Sequence, residues 1–391
     1  AASQYTLYGV PTVAQDTSAE APDRSAGSAG TAFQLNTHGS VEASVRLSYD
    51  YTQYETQFAP PFAAATRDFS EGRFEVDGSV TVPLGGTDAL LDFSGSRSTL
   101  GGDAASTSSY SIDGGAVFQL LDTEQFSVRA GGRILGFSSP ALPTLPNSPS
   151  ATASFILPQV HAELTLSPAA TVFARNKPGL SAGALSTLYA HNPYAESIPS
   201  LRPDVRTTDA EAGLDLSIGP LQFRTQAGYR YAPSYRYFTA PSSRQAADTP
   251  FQVEYESARI LHGGAELALQ GIDGVEASAG VSVRDGRLVG DDDSIPYFSP
   301  VVADAMLSIS FADQRGLLQT TGTIESPRPV DRTETSEVST YVSFDLEGSY
   351  EVTSLLDVVA RIQNIGPEAP KRWARYPQPP ATFMAGFRIH W

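Results

Sequence analysis

The residues best equipped for chemistry are few. The chain has five histidines (His38, His161, His191, His262 and His390) and no cysteine. Without cysteine there is neither a disulfide framework nor a thiolate nucleophile. His161 shares the polar face of an expected strand with Glu163, and His262 shares one with Glu266. A Ser/His/acid set is built from such neighbours. No His-Glu-x-x-His metal motif occurs. Asp291-Asp292-Asp293 offers the oxygen ligands that hard cations take, but not the alternating spacing of a calcium loop. These sets read as hydrated side chains and a solvated charge cluster. The expectation is therefore a protein that is not an enzyme and carries no cofactor or metal.

A larger charged set is more telling. Arg46, Arg73, Arg129, Arg133, Arg224, Arg230, Arg284 and Arg361 fall on the polar side of alternating segments. So do Asp77, Asp92, Glu163, Glu211, Asp215, Glu266 and Asp345. Facing lipid, each arginine would cost about 2–4 kcal/mol near the bilayer midplane. They are expected to line a lumen instead. In an open lumen they bias the ion preference of a pore; in a filled one they form a structural network.

The elements that position them follow from period-two alternation. Val41, Ala43, Val45, Leu47, Tyr49 and Tyr51 oppose Glu42, Ser44, Arg46, Ser48 and Asp50. Phe74, Val76, Val80 and Val82 oppose Arg73, Glu75, Asp77, Ser79 and Thr81; Ala89, Leu91 and Phe93 oppose Asp92 and Ser94. Further strands are expected near 107–120, 124–137, 154–166, 169–177, 205–218, 220–238, 251–270, 274–286, 299–311, 315–325, 336–351, 354–363 and 381–391. That makes about sixteen, an even number typical of membrane barrels. Helical spacing is not expected anywhere.

The connections alternate in length. Short ones fall at 83–87, 121–123, 167–168, 219, 271–273, 312–314 and 352–353. Long ones, rich in Pro, Ser and Asp, fall at 58–68, 99–106, 138–153, 178–204, 239–250, 287–298, 326–335 and 364–380. Short periplasmic turns and long extracellular loops mark a transmembrane antiparallel β-barrel. The expected fold is all-β, with a periplasmic or lumenal segment over 1–40 and the barrel over 41–391. An even count puts both ends of the chain on the periplasmic side. Tyr49, Tyr51 and Tyr54, and again Tyr229, Tyr231, Tyr235 and Tyr237, gather at strand ends as an interfacial girdle does.

Composition agrees. The 391 residues suffice for one large barrel, and no run of about 18 apolar residues offers a transmembrane helix. A net charge of −17 argues against nucleic acid as a partner. Ala1-Ala2-Ser3 reads as the start left after removal of a signal peptide.

The stretch 381–391 alternates Phe383, Ala385, Phe387, Ile389 and Trp391 with Thr382, Met384, Gly386, Arg388 and His390. Gly386, Phe387, Ile389 and Trp391 resemble the C-terminal assembly signal of bacterial outer-membrane proteins, which implies the barrel-assembly machinery as a partner. Arg372, Trp373, Arg375 and Tyr376 concentrate cations and rings in an outer loop of an acidic chain. They are expected to contact lipopolysaccharide or another envelope protein.

Over about 200 residues the second half resembles TonB-dependent outer-membrane receptors. The resemblance rests on Asn192-Pro193, Leu201-Arg202-Pro203-Asp204, Glu211-Ala212-Gly213-Leu214, Gly264-Ala265-Glu266-Leu267, Ile295-Pro296 with Pro300, Asn364-Ile365, and Tyr376 with Pro379. It implies an outer-membrane location and a place in the lipid bilayer. Receptors of that family have a plugged 22-stranded barrel. Only about 40 residues precede the first expected strand here. The resemblance therefore implies a plugless barrel acting as a passive or gated, porin-like channel for small solutes. The alternative is a structural or anchoring subunit of an envelope complex, binding partners through its outer loops or N-terminal segment.

Overall fold

The computed structural model describes residues 8–9, 23–37, 41–57, 66–85, 87–102, 107–139, 151–192, 195, 201–240, 251–366, 371–374, 376–377 and 381–389. Its order begins β1 (Tyr8–Gly9), β2 (Asp23–Thr37), β3 (Glu42–Gln57), β4 (Thr66–Leu84), β5 (Thr87–Gly102), β6 (Thr107–Asp122), β7 (Phe126–Ser139) and β8 (Ala151–Ser167). Next come β9 (Ala170–Asn176), β10 (Gly179–Ser181), helix α1 (Leu185–His191), β11 (Asp204–Arg206), β12 (Thr208–Ile218), β13 (Leu221–Thr239) and β14 (Gln252–Ile272). The chain continues with β15 (Val275–Leu288), β16 (Val301–Phe311), β17 (Gly316–Glu325), β18 (Arg328–Pro329), β19 (Glu337–Val338), β20 (Tyr341–Thr353) and β21 (Leu356–Ile365). It closes with β22 (Lys371–Trp373), β23 (Tyr376–Pro377) and β24 (Thr382–Ile389).

Two compact units divide the chain: Ala1–Glu163, Ala174–Ala210 and Arg230–Arg259 form the first; Leu164–Phe173, Glu211–Tyr229 and Ile260–Trp391 form the second. In the first, β2 to β7 form a ladder in which each strand pairs antiparallel with the next. In the second, β15, β16, β17, β20, β21 and β24 do the same. Registered partners share a face. One row of the first ladder runs Arg46, Asp77, Ser94, Asp113; the next, on the opposite face, runs Leu47, Val76, Gly95, Ile112. The polar and apolar faces read from alternation are thus continuous across strands.

The apolar face is bare. Ile156 is 84% exposed and Phe387 75%, and Ile112, Leu166, Val283 and Phe383 are exposed with them. Contiguous apolar surface of this extent marks contact with lipid or protein rather than water. Burial lies on the other side: Leu135, Phe137 and Val205 form a core against Phe155, Leu157 and Leu180. Leu135 registers with Asp113 and so belongs to the polar face.

Aromatic rings on the apolar face lie over glycines of the next strand. Phe93 covers Gly78, Phe344 covers Gly322 and Phe311 covers Gly316, each a registered pair. The missing side chain leaves the seat that the ring fills. Short connections form close to where the alternation placed them, with one shifted: 352–353 fall inside β20 and its turn follows at 354–355. Gly85 (φ 60°) and Gly219 (φ 58°) take left-handed backbone that a side chain would oppose. Ala312, Asp313 and Gln314 adopt it without glycine, at φ 54°, 57° and 66°.

Two features differ from expectation. The first is β2, which lies inside the segment expected over 1–40 and pairs with β3 over its whole length. Its apolar-face positions include Ala29, Thr31, Phe33 and Leu35, and in the sequence only Ala32-Phe33-Gln34-Leu35 reads as a short strand. The neighbouring backbone supplies what its side chains lack. The second difference is α1, where Leu185, Leu188 and Tyr189 are buried at helical spacing.

Candidate functional site

The polar face of the first unit carries a piece of its own chain. Residues 179–192 and 201–206 belong to the expected outer loop 178–204 and the start of the strand after it, and they are latched to the strands. The Glu71 carboxylate, 3% exposed, accepts the backbone N–H groups of Leu185 (3.2 and 3.1 Å) and Ser186 (3.4 Å) and the Ser98 hydroxyl (2.7 Å). Asp113 accepts the Leu180 N–H at 3.1 Å. Ser139 donates to the Leu201 carbonyl, Ser234 donates to that of Pro203, and the Arg202 N–H donates to the Tyr255 hydroxyl. β10 and β11 pair with each other, and Val205 registers with Ser234 of β13. Side chains of the strands thus satisfy backbone groups of the segment that would otherwise turn to solvent.

Arg133, 7% exposed, ties this face together. It lies 2.8 Å from Asp92 and 2.5 Å from Asp113, and donates to Gln159 at 3.3 Å. Other expected lumen residues of this unit are paired as well. Arg46 registers opposite Asp77, and Arg73 bonds Glu75. Arg129 donates to Gln119 at 3.0 Å, and Glu163 meets His161 at 3.1 Å. Arg230 makes two bonds to Asp209, which also takes Arg206.

In the second unit Arg224 grips Asp215 through two bonds of 2.6 and 2.9 Å and stacks over Phe173. With Glu266 they line a pocket of about 310 Å³. Glu211 lies 3.8 Å from His262, while Arg284 donates to the Ser299 carbonyl and stacks over Phe298. Arg361 reaches Asp345 at 3.5 Å. The structure therefore joins Asp92 with Arg133, Asp215 with Arg224, and Asp345 with Arg361.

Of the outer-loop set, Trp373 is 3% exposed with its ring 4.9 Å from Tyr297. Arg372 is ion-paired with Glu325 at 3.0 Å and stacks over Tyr341. Both engage their own chain. The backbone of Tyr376 lies in β23, and those of Gly386, Phe387 and Ile389 lie in β24, paired with β21. Arg375 and Trp391 fall outside the described residues, as do His38 and His390. Among the described residues no group of three or more His, Asp or Glu side chains is placed to hold a metal ion. In the loop after β18, burial pushes the Asp331 carboxyl up. Hydrogen bonds from Thr335, Thr333 and Ser336 outweigh this and hold it well below the usual carboxylate range.

The sequence reading did not single out Glu71 or Asp113, and named Asp204 only within the receptor-like run Leu201-Arg202-Pro203-Asp204. Glu71 continues the polar row Asp77, Glu75, Arg73 by one step, and a strand read to its full length would have included it. It also took a Gly-x-Ser-x-Gly motif to be absent, which the sequence contradicts: Gly179-Leu180-Ser181-Ala182-Gly183 has that spacing. That motif serves catalysis when its serine sits on a sharp strand-to-helix turn. Here Ser181 is the last residue of β10, registered opposite Asp204. The first three residues of the motif form β10, paired with β11.

No family model and no curated protein matches this chain. Solved structures do match. The copper transporter OprC aligns over 94% of this chain and 66% of its own, at 14% identity and TM-score 0.62. The FrpB iron transporter from Neisseria meningitidis aligns over 94% and 63%, at 9% and 0.63. The pyoverdine outer membrane receptor FpvA from Pseudomonas aeruginosa PAO1 aligns over 95% and 62%, at 13% and 0.60. These neighbours are TonB-dependent outer-membrane receptors. The likeness shows an antiparallel strand fold of outer-membrane receptor type. The chain spans less than two thirds of the length of each.

Proposed function

We propose that this chain is an outer-membrane transport barrel whose polar face surrounds a water-filled path for small solutes. Its apolar face meets lipid and, at the outer rim, lipopolysaccharide. One observation carries the reading: large apolar side chains are bare on one face, while Arg, Asp and Glu pair on the other. Closure would remove the unpaired strand edges that hydrocarbon does not tolerate. On this reading it is a conduit and not an enzyme, and its location is the bacterial outer membrane. The terminal strand, with Gly386, Phe387, Ile389 and Trp391, is what the assembly machinery would read.

The latched residues 179–192 and 201–206 narrow the path, so the channel is gated rather than freely open. The same segment favours a second reading, a sealed barrel serving as a structural subunit. Purified protein in planar bilayers separates them. Discrete conductance that increases when Glu71→Gln loosens the segment supports transport. Silence from folded protein of both kinds supports the structural role.

A further inference from the structure

We propose that the inward segment is a pH-sensitive gate, with the Asp204 carboxyl deciding whether β10, α1 and β11 stay docked on the strands of the first unit. This deepens the gated-channel reading and rests on it for its consequence, though not for its test.

The geometry sets Asp204 apart from the other acids of this face. Glu71 and Asp113 accept hydrogen bonds from the segment, and Asp209 takes two arginines. Asp204 sits on the segment itself, in the short strand β11, and its Oδ1 is buried without a hydrogen-bond partner. The next residue, Val205, is fully buried in the core against Leu135 and Phe137. Oδ1 is thus shielded from water while β11 stays in place, the side chain as a whole being half-buried. The charged and titratable groups around it are Arg206 on its own strand, Arg230 and Arg236 on β13, Asp209 on β12, and Tyr255 on β14.

Burial raises the Asp204 pKa. Arg206, Arg236 and Arg230 pull it down, Asp209 adds to the rise, and burial wins. A carboxyl whose pKa is higher docked than free binds more protons in the docked state. Docking is then strongest in acid, below the free value. It weakens as pH rises through the free and docked pKa values, and the gate opens toward neutral and alkaline pH. The free energy that ionised Asp204 gains on reaching water is what loosens the latch.

The chain contains no cysteine, so one introduced thiol is a clean probe. Ala184, fully buried next to α1, becomes reachable only when the segment lifts. The test compares the rate at which a water-soluble maleimide labels Ala184→Cys in detergent-solubilised protein with the rate in Ala184→Cys/Asp204→Asn. Taking the ratio at each pH cancels the thiol's own titration. The expected ratio is near one in acid and rises with pH, by roughly tenfold for each unit by which docking raises the Asp204 pKa. A ratio that stays flat from about pH 4 to about pH 8 overturns the proposal. Ala184→Cys/Glu71→Gln should label faster at every pH, and unchanged labelling there also overturns it. No current is measured, so a barrel that conducts nothing leaves this test intact.

Discussion

Arg133 holds two carboxylates from two neighbouring strands, Asp92 and Asp113. Removing a buried partner leaves uncompensated charge, which costs more than the pair contributes. Arg133→Ala should therefore destabilise the folded protein by about 3 kcal/mol, at the low end of the usual range because Asp92 is partly exposed. Urea unfolding in detergent would show it, and a loss below about 0.5 kcal/mol would make the pair incidental. Asp331 gives a pH prediction at the same scale. Its pKa is depressed in the folded loop, so its contribution is present above the free carboxylate value and is lost only as pH falls through the folded one. Hydrogen exchange at Thr333 and Thr335 should stay slow in mild acid, and Asp331→Ala should speed it at neutral pH. These charged positions were legible because a period-two pattern states which face a residue takes. Their partners were not, because register decides them: Arg133 finds Asp92 and Asp113 only once β5, β6 and β7 are aligned.

At the scale of elements, strands and short turns could be read from alternation and from glycine or Asp at the turns. Of β2 only Ala32-Phe33-Gln34-Leu35 could, the rest being mostly small residues, and α1 is too short to show a period. The docking of 179–192 and 201–206 was hidden for a different reason. Its anchors Glu71, Ser98 and Asp113 look like any polar-face residues until the segment lies on them. The ring-over-glycine pairs yield a prediction. Gly78→Ala must displace the Phe93 ring and should cost about 1–3 kcal/mol, as overpacking does. Gly386→Ala meets nothing within 4 Å and should leave the unfolding midpoint unchanged. If Gly386 belongs to the assembly signal, the same change lowers the yield of inserted protein. A shifted midpoint at Gly386 with a normal yield would assign it to packing instead.

For the whole molecule, everything rests on the division between a face toward hydrocarbon and a face toward water. The fold neighbours, at 9–14% identity, share the architecture and leave the solute to experiment. The direct test is a scan of single cysteines through residues 154–163 of β8, each carrying a fluorophore, in vesicles with a quencher on the lipid tails. Ile156 and Val160 are exposed on the apolar face, whereas Leu157, Gln159 and His161 lie on the other. Quenching should alternate with a period of two, strong at even positions and weak at odd ones. Quenching that is uniform, absent, or strong at Gln159 and His161 would contradict the account.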